Sequence, residues 1–431
     1  MTRHDFGSQR RLWALSGVLA LATACSDDDT PAAETGSQTD GTADGSTGEA
    51  ILPEGCDLFV AADVTDHQTA VQEALIDVQP GQTVCLGAGT FSFTRQLSLA
   101  ANDVVLRGEG GDQTILDFSE QISGGNGLEV TGDGVTIETL QILDTPGDGI
   151  RADNVENITF DGVWVIWPEA ESIDNGAYGL YPVQSNGVTV RNCLVEGSRD
   201  AGVYVGQSTN ILVEDNEARG NVAGIEIENS TDAIVRNNWA HDNTAGLLVF
   251  NLPGLDIKDG RRTNMYGNVV ENNNLVNFAE PGTVVALLPP GIGVIVLAAD
   301  ENEVGNNEIR GNDSAGVVVI AYIDDLFSPP EDPEFDIYAE GNFVHDNVFE
   351  GNGTAPADLI LLVTEGANPS PDIIFDGCFD AAKDNASGSL TNCIADNGGA
   401  SFMAADMCGQ GMGIDTMPGE HACTHDPLPQ D

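Results

Sequence analysis

Gly179-Leu-Tyr-Pro-Val-Gln-Ser185, Gly202-Val-Tyr-Val-Gly-Gln-Ser208, Gly224-Ile-Glu-Ile-Glu-Asn-Ser230 and Gly293-Val-Ile-Val-Leu-Ala-Ala299 repeat one short strand. The leading glycine belongs to a longer series, Gly127, Gly149, Gly179, Gly202, Gly224, Gly246, Gly293 and Gly316, whose short gaps are 22 or 23 residues. A fixed period of this length is the signature of stacked coils, an all-β solenoid in which each coil contacts its neighbours. Within each strand the residues alternate. Ile225 and Ile227 point one way and Glu226 and Glu228 the other, and the aliphatic set must face inward.

About fourteen residues after each glycine a second position recurs, filled by Asn216, Asn238 and Asn307 and, across an insertion, Asn268. Asn tolerates a left-handed bend, and its amide can bond the amide one coil away, so a buried ladder is expected at about 1 kcal/mol net per bond. Cys193 falls in this column and is read as a buried free thiol. Insertions interrupt the beat at Pro168–Ala177, Asn251–Thr263, Phe278–Pro290 and Asp324–Phe335. Long loops on a regular scaffold are where function concentrates.

Ahead of the coils, Val71, Ala74, Leu75 and Val78 share a helical face over 65–78. Thr65 and Gln68 have capping-box spacing, and Pro80-Gly81 closes the segment. The helix is expected to cover the open end of the first coil, which is both an apolar surface and an unpaired edge. Strands are expected at Thr83–Leu86, Val104–Leu106 and Thr114–Asp117.

Residues 1–24 read as an export signal, with Arg3, Arg10 and Arg11 ahead of the apolar run Leu12–Ala22, which is too short to span a membrane. Ala22-Thr-Ala-Cys25 resembles a lipoprotein cleavage box, which implies a lipid on Cys25 and an exported, membrane-anchored protein facing the periplasm or cell surface; Ala in place of the commoner Leu three residues before the cysteine leaves plain secretion as the alternative. Residues 25–50 are rich in Asp, Thr, Gly and Ser and read as a disordered tether. Residues 51–100 then form an N-terminal cap with the first strands, 101–365 the coils, and 366–431 a Cys-rich C-terminal cap.

Seven cysteines follow Cys25, and export favours disulfides. Cys56 and Cys85 bracket the first folded segment and can pair. Cys378, Cys393, Cys408 and Cys423 fall 15 residues apart and are expected to form two bridges, in one of three pairings. The chain carries 15 Lys plus Arg against 69 Asp plus Glu, a formal charge of -54 over 431 residues. That excess argues against nucleic acid or anionic lipid as partners and leaves membrane contact to a lipid anchor.

Gly149-Ile-Arg-Ala-Asp-Asn154, Asn175-Gly-Ala-Tyr-Gly-Leu-Tyr-Pro-Val-Gln-Ser185, Asp200-Ala-Gly-Val-Tyr-Val-Gly-Gln-Ser208 and Asn221-Val-Ala-Gly-Ile-Glu-Ile-Glu-Asn-Ser230 resemble a family of exported bacterial parallel β-helix proteins, over about 100–350. The opening helix with Pro80-Gly81 resembles the first segment of pectin-lyase-like folds. The resemblance implies a right-handed parallel β-helix, frequent lipoprotein signals, and pairing with a secreted dihaem c-type cytochrome-like protein. More distantly, the chain is similar to the carbohydrate-binding and sugar-hydrolase repeat class, which includes polysaccharide lyases and alginate epimerases. No Asp-Pro-His-Asp run is present, so no catalytic residue carries over.

Outward positions one coil apart become neighbours at roughly 4.8 Å. One column reads Glu129, Arg151, Tyr181, Tyr204, Glu226, and the next Thr131, Asp153, Val183, Gly206, Glu228, with Gln184, Gln207 and Asn229 at the adjoining turns. Two aromatic rings flanked by Arg, carboxylates and amides suit a polysaccharide, and Trp164 and Trp167 are expected to deepen the groove. The plainer alternative is an alternation that merely covers a sheet. For a lyase or epimerase, Asp153, Glu226 and Glu228 are candidate calcium ligands, with Arg151 or a tyrosine acting on the proton. For hydrolysis, Glu226 and Asp153 are the conceivable carboxyl pair. Past Gly246 the columns turn apolar, with Leu248, Phe250, Ile295, Leu297, Val318 and Ile320. Val284, Val285, Leu287 and Leu288 are expected to cover them; failing that, they mark a partner surface.

Overall fold

Stacking strands whose alternate residues are aliphatic closes a tube with those residues inside, and this is the arrangement in the computed structural model, which describes residues 52–323, 327, 329–410 and 413–430. The export signal, Cys25 and the tether lie outside the described residues. Three parallel sheets of twelve, eleven and ten strands form the walls, each strand pairing with its equivalents one coil before and after. The protein is a right-handed parallel β-helix. The twelve-stranded sheet runs from Leu58–Val60 to Cys393–Ala395 and the ten-stranded sheet from Gly89–Ser92 to Val348–Glu350. The eleven-stranded sheet, from Arg95–Leu99 to Phe402–Ala404, carries the glycine beat and is called the glycine sheet below. Coil strands thus continue to Ala404, beyond the boundary expected at 365.

The beat has a steric cause. A Cβ on Gly224 would lie 2.6 Å from the carbonyl oxygen of Gly246, and one on Gly202 would lie 2.8 Å from that of Gly224. Backbone from the next coil fills the side-chain space, so the same residue recurs at every rung. The asparagine column is the buried ladder expected: Asn216, Asn238, Asn268, Asn307, Asn347 and Asn397 pass amide bonds of 2.9–3.0 Å along the stack. Cys193 heads it, free and buried, with its backbone N–H donating to Asn216. A second ladder, Asn221, Asn243, Asn273, Asn312 and Asn352, runs five residues later in each coil.

The first helix, α1, spans His67–Asp77 and buries Val71, Ala74 and Leu75 against the first coil. The expected Thr65/Gln68 capping box is not what starts it. Asp66 is the N-cap, accepting from the Thr69 N–H at 3.0 Å. Gln68 instead accepts from the N–H groups of Thr94 and Arg95, so its side chain ties the helix to the sheet beneath. Cys56 pairs with Cys85, and of the three possibilities in the tail the one found is Cys378 with Cys408 and Cys393 with Cys423. A second helix, α2 at Asp358–Val363, has no counterpart in the sequence pattern. Among the described residues no helix is long and apolar enough to cross a membrane.

Candidate functional site

Register on the glycine sheet is the one the period requires. Arg151 pairs with Glu129 on one side and Tyr181 on the other, Tyr204 pairs with Glu226, and Glu226 with Leu248. Tyr181 and Tyr204 are therefore side by side, ring centroids 4.9 Å apart and nearly perpendicular. Tyr178 completes a three-ring cluster, 4.6 Å from each. The Tyr204 ring lies down across its own strand because position 206 is glycine; a Cβ there would sit 2.5 Å from the Tyr204 hydroxyl. The Arg151 guanidinium stands over Tyr181 at 5.1 Å and donates to Asp153 at 2.7 Å. Its Nε is buried with no hydrogen-bond partner among the described residues.

The turn amides are already engaged. Gln184 donates to the Asp256 carboxylate at 3.4 Å and Gln207 accepts from the Asp256 N–H at 3.0 Å. Asn229, fully buried, donates to the carbonyls of Leu252 and Ile257 and accepts from the Leu252 N–H. All three hold the 251–263 insertion in place, and Asn229 has no face left for a ligand. The two tryptophans do not deepen the groove. Trp164 lies on the ten-stranded sheet, against Gly111, and Trp167 is 2 % exposed with its indole N–H donated to the Thr145 carbonyl. Sequence assigns a residue to a coil, but a few positions along it decide which wall it faces.

Glu226 and Glu228 point outward as the alternation requires, yet they are only 2 % and 7 % exposed. Insertions roof this part of the sheet. Burial, and secondarily the Asp200 carboxylate, pushes Glu226 well above the usual carboxyl range and Glu228 up to about 8. Asp200, to which the Tyr178 hydroxyl donates, is raised to about 7 by burial, and Asp148 to about 6 by burial. Burial likewise raises Tyr178 and Tyr181, so neither phenol is prepared as a base. Glu226 and Asp153 lie on different coils with those of Tyr181 and Tyr204 between them. At roughly 4.8 Å per coil they are too far apart to flank one glycosidic bond, and Asp153 is paired with Arg151. The same separation denies Asp153, Glu226 and Glu228 a shared calcium. Among the described residues the acidic trio able to hold a metal is elsewhere, at Asp300, Asp336 and Glu340, where the Lys383 ammonium already lies 2.5 Å from Asp336 and 2.6 Å from Glu340.

Beyond Glu226 the apolar columns are covered, but not flush. Leu288 from one insertion and Ile360 and Val363 of α2 pack against Leu248, Ile295 and Val318, while Val284 and Leu287 remain 45 % and 56 % exposed. A cleft of about 510 Å³ is left between the loop, the helix and the sheet, apolar along most of its length and ending at Tyr178, Asp200, Tyr204, Glu226 and Glu228. Sequence reasoning found the columns and missed the cleft, because α2 comes from more than a hundred residues downstream of Glu226.

Comparison with known proteins agrees on architecture. The family described as "Right handed beta helix region" matches residues 126–274. The A-module of mannuronan C-5 epimerase AlgE6 from Azotobacter vinelandii is 19% identical, covering 77% of this chain and 90% of its own, with a TM-score of 0.56. The AlgE4 A-module from the same organism is 17% identical, covering 78% and 91%, with a TM-score of 0.53. At such identity the likeness is one of fold. No curated protein sequence matches this chain.

Proposed function

We propose that this is an exported, surface-anchored β-helix protein that binds a polysaccharide on the glycine sheet at the Tyr178, Tyr181 and Tyr204 cluster. The observation that carries the reading is three mutually packed tyrosine rings with a guanidinium over Tyr181, in which buried Tyr204 backs the half-buried rings of Tyr178 and Tyr181. Half-buried Tyr181 offers a ring to the apolar face of a sugar, and Arg151 and Asp153 offer a donor and an acceptor to its hydroxyls. Charge selects the class of sugar. The Arg151 guanidinium, already paired, stands among Glu129, Asp148 and Asp153, and that of Arg199 near Asp148 and Asp200 is held by Glu280, so an uncharged glycan is favoured over a polyuronate.

Affinity electrophoresis against neutral and acidic polysaccharides tests this. Retardation by a neutral glycan that is lost in Tyr181→Ala supports it; equal retardation of parent and variant, or none by any glycan, defeats it. A second reading, chemistry at a uronate as in a lyase or epimerase, is favoured by the orphaned Arg151 Nε, which lacks an acceptor such as a carboxylate, and by the fold shared with the epimerase modules. Unsaturated product detected by ultraviolet absorbance, or proton exchange seen by NMR on a polyuronate with calcium present, would establish it over simple binding. A secreted c-type cytochrome-like partner would require a flat apolar wall; the apolar columns line a cleft instead, and no observation favours that reading.

A further inference from the structure

The apolar cleft and the acidic wall that closes it belong to one site, and the glycan reading leaves both without a task. Its floor is Leu248, Ile295 and Val318 of three successive coils, its sides are Leu288 and Ile360, and among the described residues that line this stretch the one polar side chain is Thr283, whose hydroxyl is already donated to the Glu280 carbonyl. A sugar chain has hydroxyls on every residue and would leave them unmet there. A hydrocarbon chain meets no such penalty, and a volume of about 510 Å³ accommodates one of moderate length.

The closed end is different in kind. Glu226 and Glu228 line it, at least nine-tenths buried, and neither carboxyl has a side-chain hydrogen-bond partner among the described residues. Their neighbours are a third carboxyl, Asp200, and the rings of Tyr178 and Tyr204. The nearby cations are committed: Arg199, next to Asp200, to Glu280, and Arg151, over Tyr181, to Asp153. Arg219 and Arg236, closest in sequence to the two glutamates, are held by Glu196 with Glu217 and by Glu214. Three carboxyls, of which only Asp200 feels a guanidinium, that of Arg199 already paired with Glu280, are faced by two aromatic rings and form a receptor for a cation, because a carboxylate and a ring face both attract an ammonium. An ammonium gains carboxylate partners by displacing the protons that these buried carboxyls hold, a gain open to neither an anion nor a neutral head group.

We propose that the cleft binds an aliphatic amine, with its ammonium against Asp200, Glu226 and Glu228 and its hydrocarbon chain along Leu248, Ile295 and Val318. The site differs from the glycan platform, although Tyr178 and Tyr204 border both. The amine is recognised by its head and chain alone, whether free or carried by a lipid.

Calorimetric titration of the folded chain with n-octylamine, n-octanol and octanoate, at about pH 8 and below micelle-forming concentration, tests the assignment. Octylamine is expected to bind saturably, about tenfold or more tighter than octanol, with octanoate not binding. In a Glu226→Gln, Glu228→Gln double variant octylamine is expected to fall to the octanol level, while octanol binding persists. Octanol or octanoate binding as tightly as octylamine would overturn the assignment of charge. Absence of saturable binding by all three would overturn the site. Glutamine keeps the shape of glutamate, and circular dichroism of the variant separates loss of the head-group contact from loss of the fold. Should Tyr181→Ala abolish glycan binding while octylamine still binds, the two sites are independent.

Discussion

Glu226 and Glu228 are exposed by pattern and buried by context, and their titration makes that tension measurable. Each is a carboxyl raised by burial, so the folded chain holds protons that the unfolded chain releases. For Glu228, ordinarily near 4.5 and here about 8, the contribution to stability is fully present below the unfolded value. It declines as the pH rises from there and is lost above the folded value. Glu228→Gln is therefore expected to match the parent near pH 5 and to exceed it above pH 8, by on the order of 3 kcal/mol, since water relaxing into the cleft lowers the full linkage. Chemical denaturation across that range checks it; a constant offset would mean that the carboxyl stays ionised. At Cys193 burial raises the thiol to about 12, so it is expected to resist a thiol reagent in the folded protein and to react once denatured. The column position of Cys193 was legible from the spacing of Asn216 and Asn238. The engagement of Asn229 was not, since its partners Leu252 and Ile257 belong to an irregular loop whose path no periodicity encodes.

At the scale of the element, the rung is the unit, and its two fixed features make separate predictions. Gly224→Ala places a methyl against the Gly246 carbonyl of the next coil and is expected to cost about 1–3 kcal/mol. The same change at Gly125, where an added Cβ meets nothing within 4 Å, is the comparison that isolates the steric pressure. In the ladder, the Asn268 side chain donates to Val235 and Asn307 and accepts from Asn238. Asn268→Ala leaves buried partners on both sides unmet and is expected to cost about 3 kcal/mol, against far less for an exposed asparagine. Thermal melts of the variants decide, and a shift within that of an exposed control would show the ladder to be ornamental to stability. Five-residue spacing between Asn216 and Asn221, repeated at 238/243 and 307/312, announces the second ladder in the sequence as clearly as the first. α2 left no comparable sign, because six residues are too few to set a helical period against a strand.

Over the whole molecule, charge acts collectively. Sixty-nine acidic residues against fifteen basic ones leave strong self-repulsion, which salt screens over a Debye length. The melting temperature is expected to rise by about 5 °C between roughly 0.02 M and 0.5 M sodium chloride, as measured by scanning calorimetry, and a fall would show that attractive ion pairs such as Arg262–Asp232 outweigh the repulsion. The sequence by itself determined the coil stack, its register, the inward aliphatic set and the adjacency of Tyr181 with Tyr204. A repeat contacts chiefly its neighbours, so a period in one dimension suffices to place residues in three. Only the tertiary structure decided which outward residues meet solvent, which wall Trp164 and Trp167 face, which cysteines pair in the tail, and that Glu226 closes a cleft. Those outcomes depend on insertions and on α2, segments without a period, whose positions follow from packing against the finished stack and not from spacing along the chain.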